Sequence, residues 1–211
     1  MIQQILFVLV LLLVGIFAFK KYAQLYQNIN LGQPETTDGP TGPRWKNVVL
    51  VAFGQKKMFK NWIPAIFHLF IYVAFLFTQI ELIEILIDGF GGVHRFFADK
   101  LSIVYPIIIN TIEILSLLAF VATFVFLIRR NLLYIPRFKK PEMKGWPKLD
   151  ANLILFGELI LIIGIFTMNG TDVLLQDLDP EHYPKAGPFY LSQSIGPLLF
   201  GGLEQETLVI L

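Results

Sequence analysis

Cysteine is absent from the 211 residues. Disulfides, thiolate-held iron–sulfur clusters and thioether-linked haem are therefore excluded within this chain, because each needs cysteine sulfur. Charge is scarce as well: Asp, Glu, Lys and Arg make up 16% of the chain, against roughly a quarter in an ordinary soluble domain. No glycine-rich phosphate loop, HExxH, spaced metal cluster or Ser/His/Asp set for one aqueous cleft can be found. Soluble hydrolytic and phosphoryl-transfer chemistry is thereby set aside, and no nucleic-acid partner is expected. Histidine is limited to His68, His94 and His182.

What remains is apolar, at 55% hydrophobic residues, and it is clumped. Four long apolar blocks are separated by charged or Gly/Pro-rich connections, the pattern of a chain that satisfies its backbone in lipid by forming helices. The fold class is all-α, a polytopic transmembrane helical bundle of four spans plus the start of a fifth, with no repeat and no soluble domain. The spans are expected at about 2–19, 63–86, 105–128 and 151–168, with an incomplete fifth from about 206. The first block is followed by Lys20 and Lys21 and lacks an Ala-x-Ala site, so it reads as an uncleaved span rather than a signal peptide. QPETTDGPTGPR reads as non-helical. Trp45 to Phe59 mixes apolar and basic residues without the length to cross, and reads as an interfacial helix. TDVLLQDLDPEHYPKAGPFY reads as a mildly acidic loop, and LSQSIGPLLFGGL as a segment along the interface. The ending ETLVIL reads as the first turns of a span that is cut off, so a fragment of a longer protein is expected.

Lys and Arg fix the orientation, because they are retained on the cytoplasmic side. Seven lie between spans one and two and seven between spans three and four, against only Arg95, Lys100 and Lys185 in the other connections. The expected location is the inner (cytoplasmic) membrane, multi-pass, with the N-terminus outside and the basic loops inside.

Polar groups within the spans are the functional candidates. At 1.5 Å per residue His68 lies about 9 Å into the second span and Glu158 about 11 Å into the fourth, at similar depth. An imidazole there needs a partner: a metal, a carboxylate or a neighbouring helix. Glu113, about 12 Å from the opposite surface, shares a helical face with Asn110 and Ser116. For Glu113 and Glu158 two readings stay open, hydrogen bonding between helices and a proton route, and Glu158 could also fix the imidazole of His68. Glu81, Glu84 and Asp88 read as solvated helix-end charges, with a proton-accepting site beside a quinone as the alternative. Haem b in a helical bundle needs two axial imidazoles. His94 lies just outside the second span and His182 in an outer loop, so only His68 has the depth.

The segments LGQPETTDGPTGPRWKNVVLVAFGQKKMF, PAIFHLFIYVAFLFTQIELIEILIDGFGGVHRFF, FLIRRNLLYIPRF and PKLDAN together resemble the N-terminal membrane part of (Fe–S)-binding electron-transfer proteins of the heterodisulfide-reductase type. That part is similar to the nitrate reductase gamma subunit, a quinol-oxidising cytochrome b. The resemblance implies electron transfer between quinone and a cytoplasmic iron–sulfur domain or subunit through b-type haem, with His68 as metal and haem axial ligand. The position expected for a second histidine on that span is Thr78, and the span that would carry the opposing ligands is not in the chain. Within this reading Glu158 supports the imidazole, Arg129 and Arg130 face haem propionates, and Glu84, His94 and Arg95 form a quinone pocket. The basic loops would meet the iron–sulfur partner or lipid headgroups of the bilayer. The alternatives are a haem-free membrane anchor for a redox partner, and a small proton-conducting or transport subunit.

Overall fold

A computed structural model of the chain describes residues 2–33 and 39–210, with the backbone alone for Lys139. The described residues are helices and their connections, without strands, and four helices are long and apolar enough to cross a membrane. These are α1 (Ile2–Ile29), α3 (Trp62–Gly91), α5 (Val104–Asn131) and α6 (Trp146–Leu178). At 1.5 Å per residue each is over about 40 Å long, so their ends extend past a hydrocarbon core of about 30 Å. The shorter helices are α2 (Thr41–Asn47), α4 (Phe96–Leu101), α7 (Ser192–Phe200) and α8 (Gln205–Leu208).

The chain divides into two compact units, residues 1–62 with 86–93, and residues 63–85 with 94–211. In the first, α1 has no buried residue, as suits a helix wrapped in lipid. The Phe7 and Phe90 rings meet edge to face at 5.8 Å, and a side chain on Gly89 would collide with Phe7. α2 runs into a π-helical turn, Val48–Phe53, and a 3-10 turn follows at Met58–Lys60. The expected interfacial helix thus begins four residues early, at Thr41, and ends at Phe53. Thr41–Arg44, expected to be non-helical, form its first turn, where Pro43 gives up no hydrogen bond. Pro34 to Asp38 lie outside the described residues.

The second unit holds the polar chemistry. Ala74 of α3, Ala119 of α5 and Ile162 of α6 form one buried cluster, flanked by Ile71, Leu115, Phe120 and Phe166. The small alanines let the three helices approach closely. A second cluster joins Tyr105, Ile109 and Ile112 of α5 to Ala186 and Phe189. α6 and α7 cross at Gly170 and Gly196, where a side chain at Gly196 would overlap the Gly170 carbonyl.

Two boundaries differ most from expectation. α1 continues ten residues past Phe19 through KKYAQLYQNI, whose Lys, Ala, Gln and Leu residues are good helix formers. α6 continues ten past Met168, so TDVLLQDL is helix rather than loop. Its Asn169, Thr171, Asp172 and Gln176 are buried, and hydropathy misreads a polar face that has partners.

Candidate functional site

The site is centred on Arg95, which is buried at 5% exposure in the connection between α3 and α4. Its backbone is left-handed, φ 50° and ψ 58°, a conformation that costs a non-glycine residue roughly 1–2 kcal/mol. That cost is offset by what the side chain reaches. Nε donates to Asp172 Oδ2 at 3.1 Å, one terminal nitrogen donates to Asn169 Oδ1, and the other lies 3.5 Å from Glu81 Oε1 and 3.3 Å from the Tyr105 hydroxyl. Glu84 Oε2 is 3.8 Å away, and the guanidinium stacks 5.3 Å from the Phe189 ring centre. A guanidinium suits this place, since its fork of donors serves several acceptors at once. Burial by itself disfavours its charge, but Asp172, Tyr105, Glu81 and Glu84 outweigh burial and hold its pKa above the ordinary arginine value.

The carboxyls are arranged by the helices that carry them. Glu81 and Glu84 sit one turn apart on α3, and each is 2% exposed. They are not the solvated helix-end charges expected, because the chain turns back beyond α3 and returns Arg95 to them. Glu84 Oε1 accepts the Phe97 backbone N–H at 2.8 Å, capping α4, and Oε2 accepts the Tyr105 hydroxyl at 2.7 Å. Asp172, on α6, also accepts from Gln176 Nε2 at 2.9 Å and lies 2.9 Å from His94 Nε2. Three carboxyl groups therefore face one guanidinium, and the His94 imidazole supplies a second positive charge whenever it is protonated. Among the described residues, Glu81 Oε2 and Asn169 Nδ2 are buried without a hydrogen-bond partner.

This cluster walls a cleft of about 350 Å³ whose lining includes His94, Arg95, Asp99, Ser102, Pro106 and Lys185. Ser102, at the rim, also has a positive φ, 45°. Small-ligand pockets begin at about 300 Å³. Glu84, His94 and Arg95 are thus brought together, with Glu84 behind the wall and the other two on it.

A fourth buried carboxyl, Glu113, is fully enclosed and has a different task. Its oxygens accept the backbone N–H groups of Leu191 at 2.8 Å and Ser192 at 3.3 Å, donors that the start of α7 leaves without an intrahelical partner. Asn110, one turn earlier on α5, donates to Pro188 O and accepts from the Tyr190 N–H, both at 2.7 Å. Residues 188–192, where the expected loop passes into the segment expected along the interface, are therefore pinned to α5. Sequence reasoning placed Glu113 and Asn110 on one face but did not find what they bind, since the partners are backbone groups.

At the other end of these helices the expected haem residues lie apart from any metal set. His68 is on an exposed face of α3 and makes no hydrogen bond among the described residues. The partner expected for it is reduced to electrostatic proximity to half-buried Glu158, which sits beside Thr123. His94 is held against Asp172, and His182 is exposed with Nδ1 3.1 Å from Asp179. Among the described residues no group of three or more His, Cys, Asp or Glu could hold a metal ion. The donor set does not fit a bis-imidazole haem, because its two other imidazoles are committed to carboxylates away from His68. Arg129 and Arg130 are half-buried at the end of α5, where Arg130 donates to Pro147 O at 2.9 Å.

Outside the spans, hydrogen bonding to Asp179 raises the His182 pKa above 6.5. The same contact lowers that of Asp179.

Comparison of the chain with family models, with curated proteins and with solved structures finds no match.

Proposed function

We propose that this chain is a membrane electron-transfer subunit that binds a quinone in the cleft beside Arg95 and exchanges the quinone's protons through the carboxyl cluster. The observation that carries this reading is a guanidinium fixed among three carboxyls, with an imidazole beside it, at the wall of a cleft of about 350 Å³. A quinone has two carbonyl oxygens that accept hydrogen bonds, and Arg95, His94, Ser102 and Lys185 are the donors lining the cleft. Oxidation of the quinol to the quinone releases two electrons and two protons. The protons have acceptors here in the carboxyls and in His94; the electrons need a redox centre beyond these residues. The resemblance of the GQKKMF and HLFIYVAF segments to cytochrome b type subunits supports the same role, with an iron–sulfur module as partner. Haem b would need its second axial ligand from outside the described residues.

Photolabelling with an azido-quinone tests the proposal. Label is expected on peptides covering 94–106 and 184–187, competed by unlabelled quinone and reduced several-fold in His94→Ala. Label that avoids these peptides overturns it. The second reading is a haem-free anchor for a redox partner, in which His68 would hydrogen-bond another helix; it is exposed and makes no such bond among the described residues. A dithionite-minus-oxidised spectrum of the intact membrane complex separates the two. A b-type band lost in His68→Ala supports electron transfer, and its absence leaves the anchor.

A further inference from the structure

A second cleft, of about 140 Å³, lies where α5 ends and α6 begins, and is lined by Arg130, Phe138, Met143, Lys144 and Lys148. Three of its five lining residues are cationic and none is acidic. Buried cations normally find carboxylates, as Arg95 does. Here, among the described residues, Arg130 is held by a carbonyl and a ring: it donates to Pro147 O at 2.9 Å and stacks 5.3 Å from the Phe138 ring centre. Its Nε is buried with no hydrogen-bond partner among the described residues. Lys144 and Lys148 are exposed and make no ion pair among the described residues. The neighbouring acid Glu142 is engaged instead by Lys140, at 3.9 Å.

The geometry points to a binding site for a phosphate group carried on an anionic phospholipid. Three donors of positive charge converge on one small cleft, which suits a tetrahedral anion better than a flat carboxylate. The lipid source follows from the surroundings. The cleft sits at the ends of two helices long and apolar enough to span, and Leu132, Leu133, Tyr134 and Trp146 beside it are all exposed. Exposed leucines with Tyr and Trp next to cations are the composition of the headgroup boundary. A free phosphate would use the cations and leave the apolar residues idle.

The test is native mass spectrometry of the full chain in nonionic detergent, titrated separately with phosphatidylglycerol, phosphatidylcholine and inorganic phosphate. One phosphatidylglycerol is expected to stay bound where phosphatidylcholine is lost. The paired substitution Lys144→Gln with Lys148→Gln is expected to weaken retention by about tenfold or more, while Lys140→Gln leaves it unchanged. Both lysines are exposed, and a helical circular-dichroism spectrum with unchanged elution verifies the fold. A second measurement needs no variant: raising salt to roughly 0.5 M screens the contact, so retention by the unaltered protein should fall. The proposal is overturned if phosphatidylglycerol binding ignores both the lysine substitutions and salt, or if phosphatidylcholine binds equally. Inorganic phosphate binding as tightly as phosphatidylglycerol overturns the lipid source and makes this a site for a soluble anion.

Discussion

The two ends of α5 and α6 handle charge in opposite ways. At the Arg95 end the buried charges face opposite charges or hydrogen-bond donors: Arg95 meets Glu81 and Asp172, Glu84 accepts from Phe97 and Tyr105, and Asp172 accepts from Gln176. At the Arg130 end, three cations surround a cleft that contains no acid. Buried charge without compensation is costly, so the first end must be assembled with the fold. Exposed charge costs little, so the second can await a ligand. The contrast separates a cluster that the architecture depends on from a surface that it merely displays.

Removing Arg95 strikes that contrast hardest. Arg95→Leu leaves Glu81, Glu84 and Asp172 buried around a missing cation, and a loss of about 3–5 kcal/mol is expected, read as unfolding in mixed micelles. Arg95→Lys should recover part of it, because the charge is kept and the fork is lost. If Arg95→Leu unfolds like the parent protein, the two ends do not differ as described.

A smaller effect is expected from Glu113→Leu. Two backbone donors at the start of α7 lose their acceptor, a cost of about 1–3 kcal/mol. Faster amide exchange at Leu191 and Ser192 would report it, and unchanged exchange would show that another group caps α7. At the basic end, Lys144→Gln with Lys148→Gln should alter stability by no more than about 0.5 kcal/mol. A large loss there would mean that those lysines are structural.

The mildest test concerns His182, outside the spans. Its folded pKa is raised by Asp179, so the favourable pairing is fully present below the unfolded value of 6.5 and is lost as pH rises through the raised one. Imidazole proton shifts in NMR should titrate with a midpoint above 6.5, returning to it in Asp179→Asn.

Much of the architecture was legible because lipid leaves a chain few options: continuous apolar runs located α1, α3, α5 and α6. Their lengths were harder to read. Helix does not stop where hydropathy stops, and KKYAQLYQNI and TDVLLQDL stay helical on propensity and on buried polar contacts. Glu84, His94 and Arg95 were singled out together, but their association with Asp172 and Asn169 depends on a turn geometry that no local pattern encodes. Glu81 and Glu84 at i and i+3, followed beyond two glycines by an arginine, were the available signal. His68 shows the opposite limit, since depth in a span does not say which face of the helix an imidazole occupies.

The position of Arg95 also bears on how the protein is made. This arginine belongs to a connection, and one of its carboxylate partners lies 77 residues further along. As the polypeptide enters the membrane, α3 therefore arrives with two acids whose full set of companions has yet to be synthesised. The Glu84 contacts can form within the hairpin of α3 and α5, whereas those of Arg95 with Asp172 and Asn169 must wait for a segment made much later.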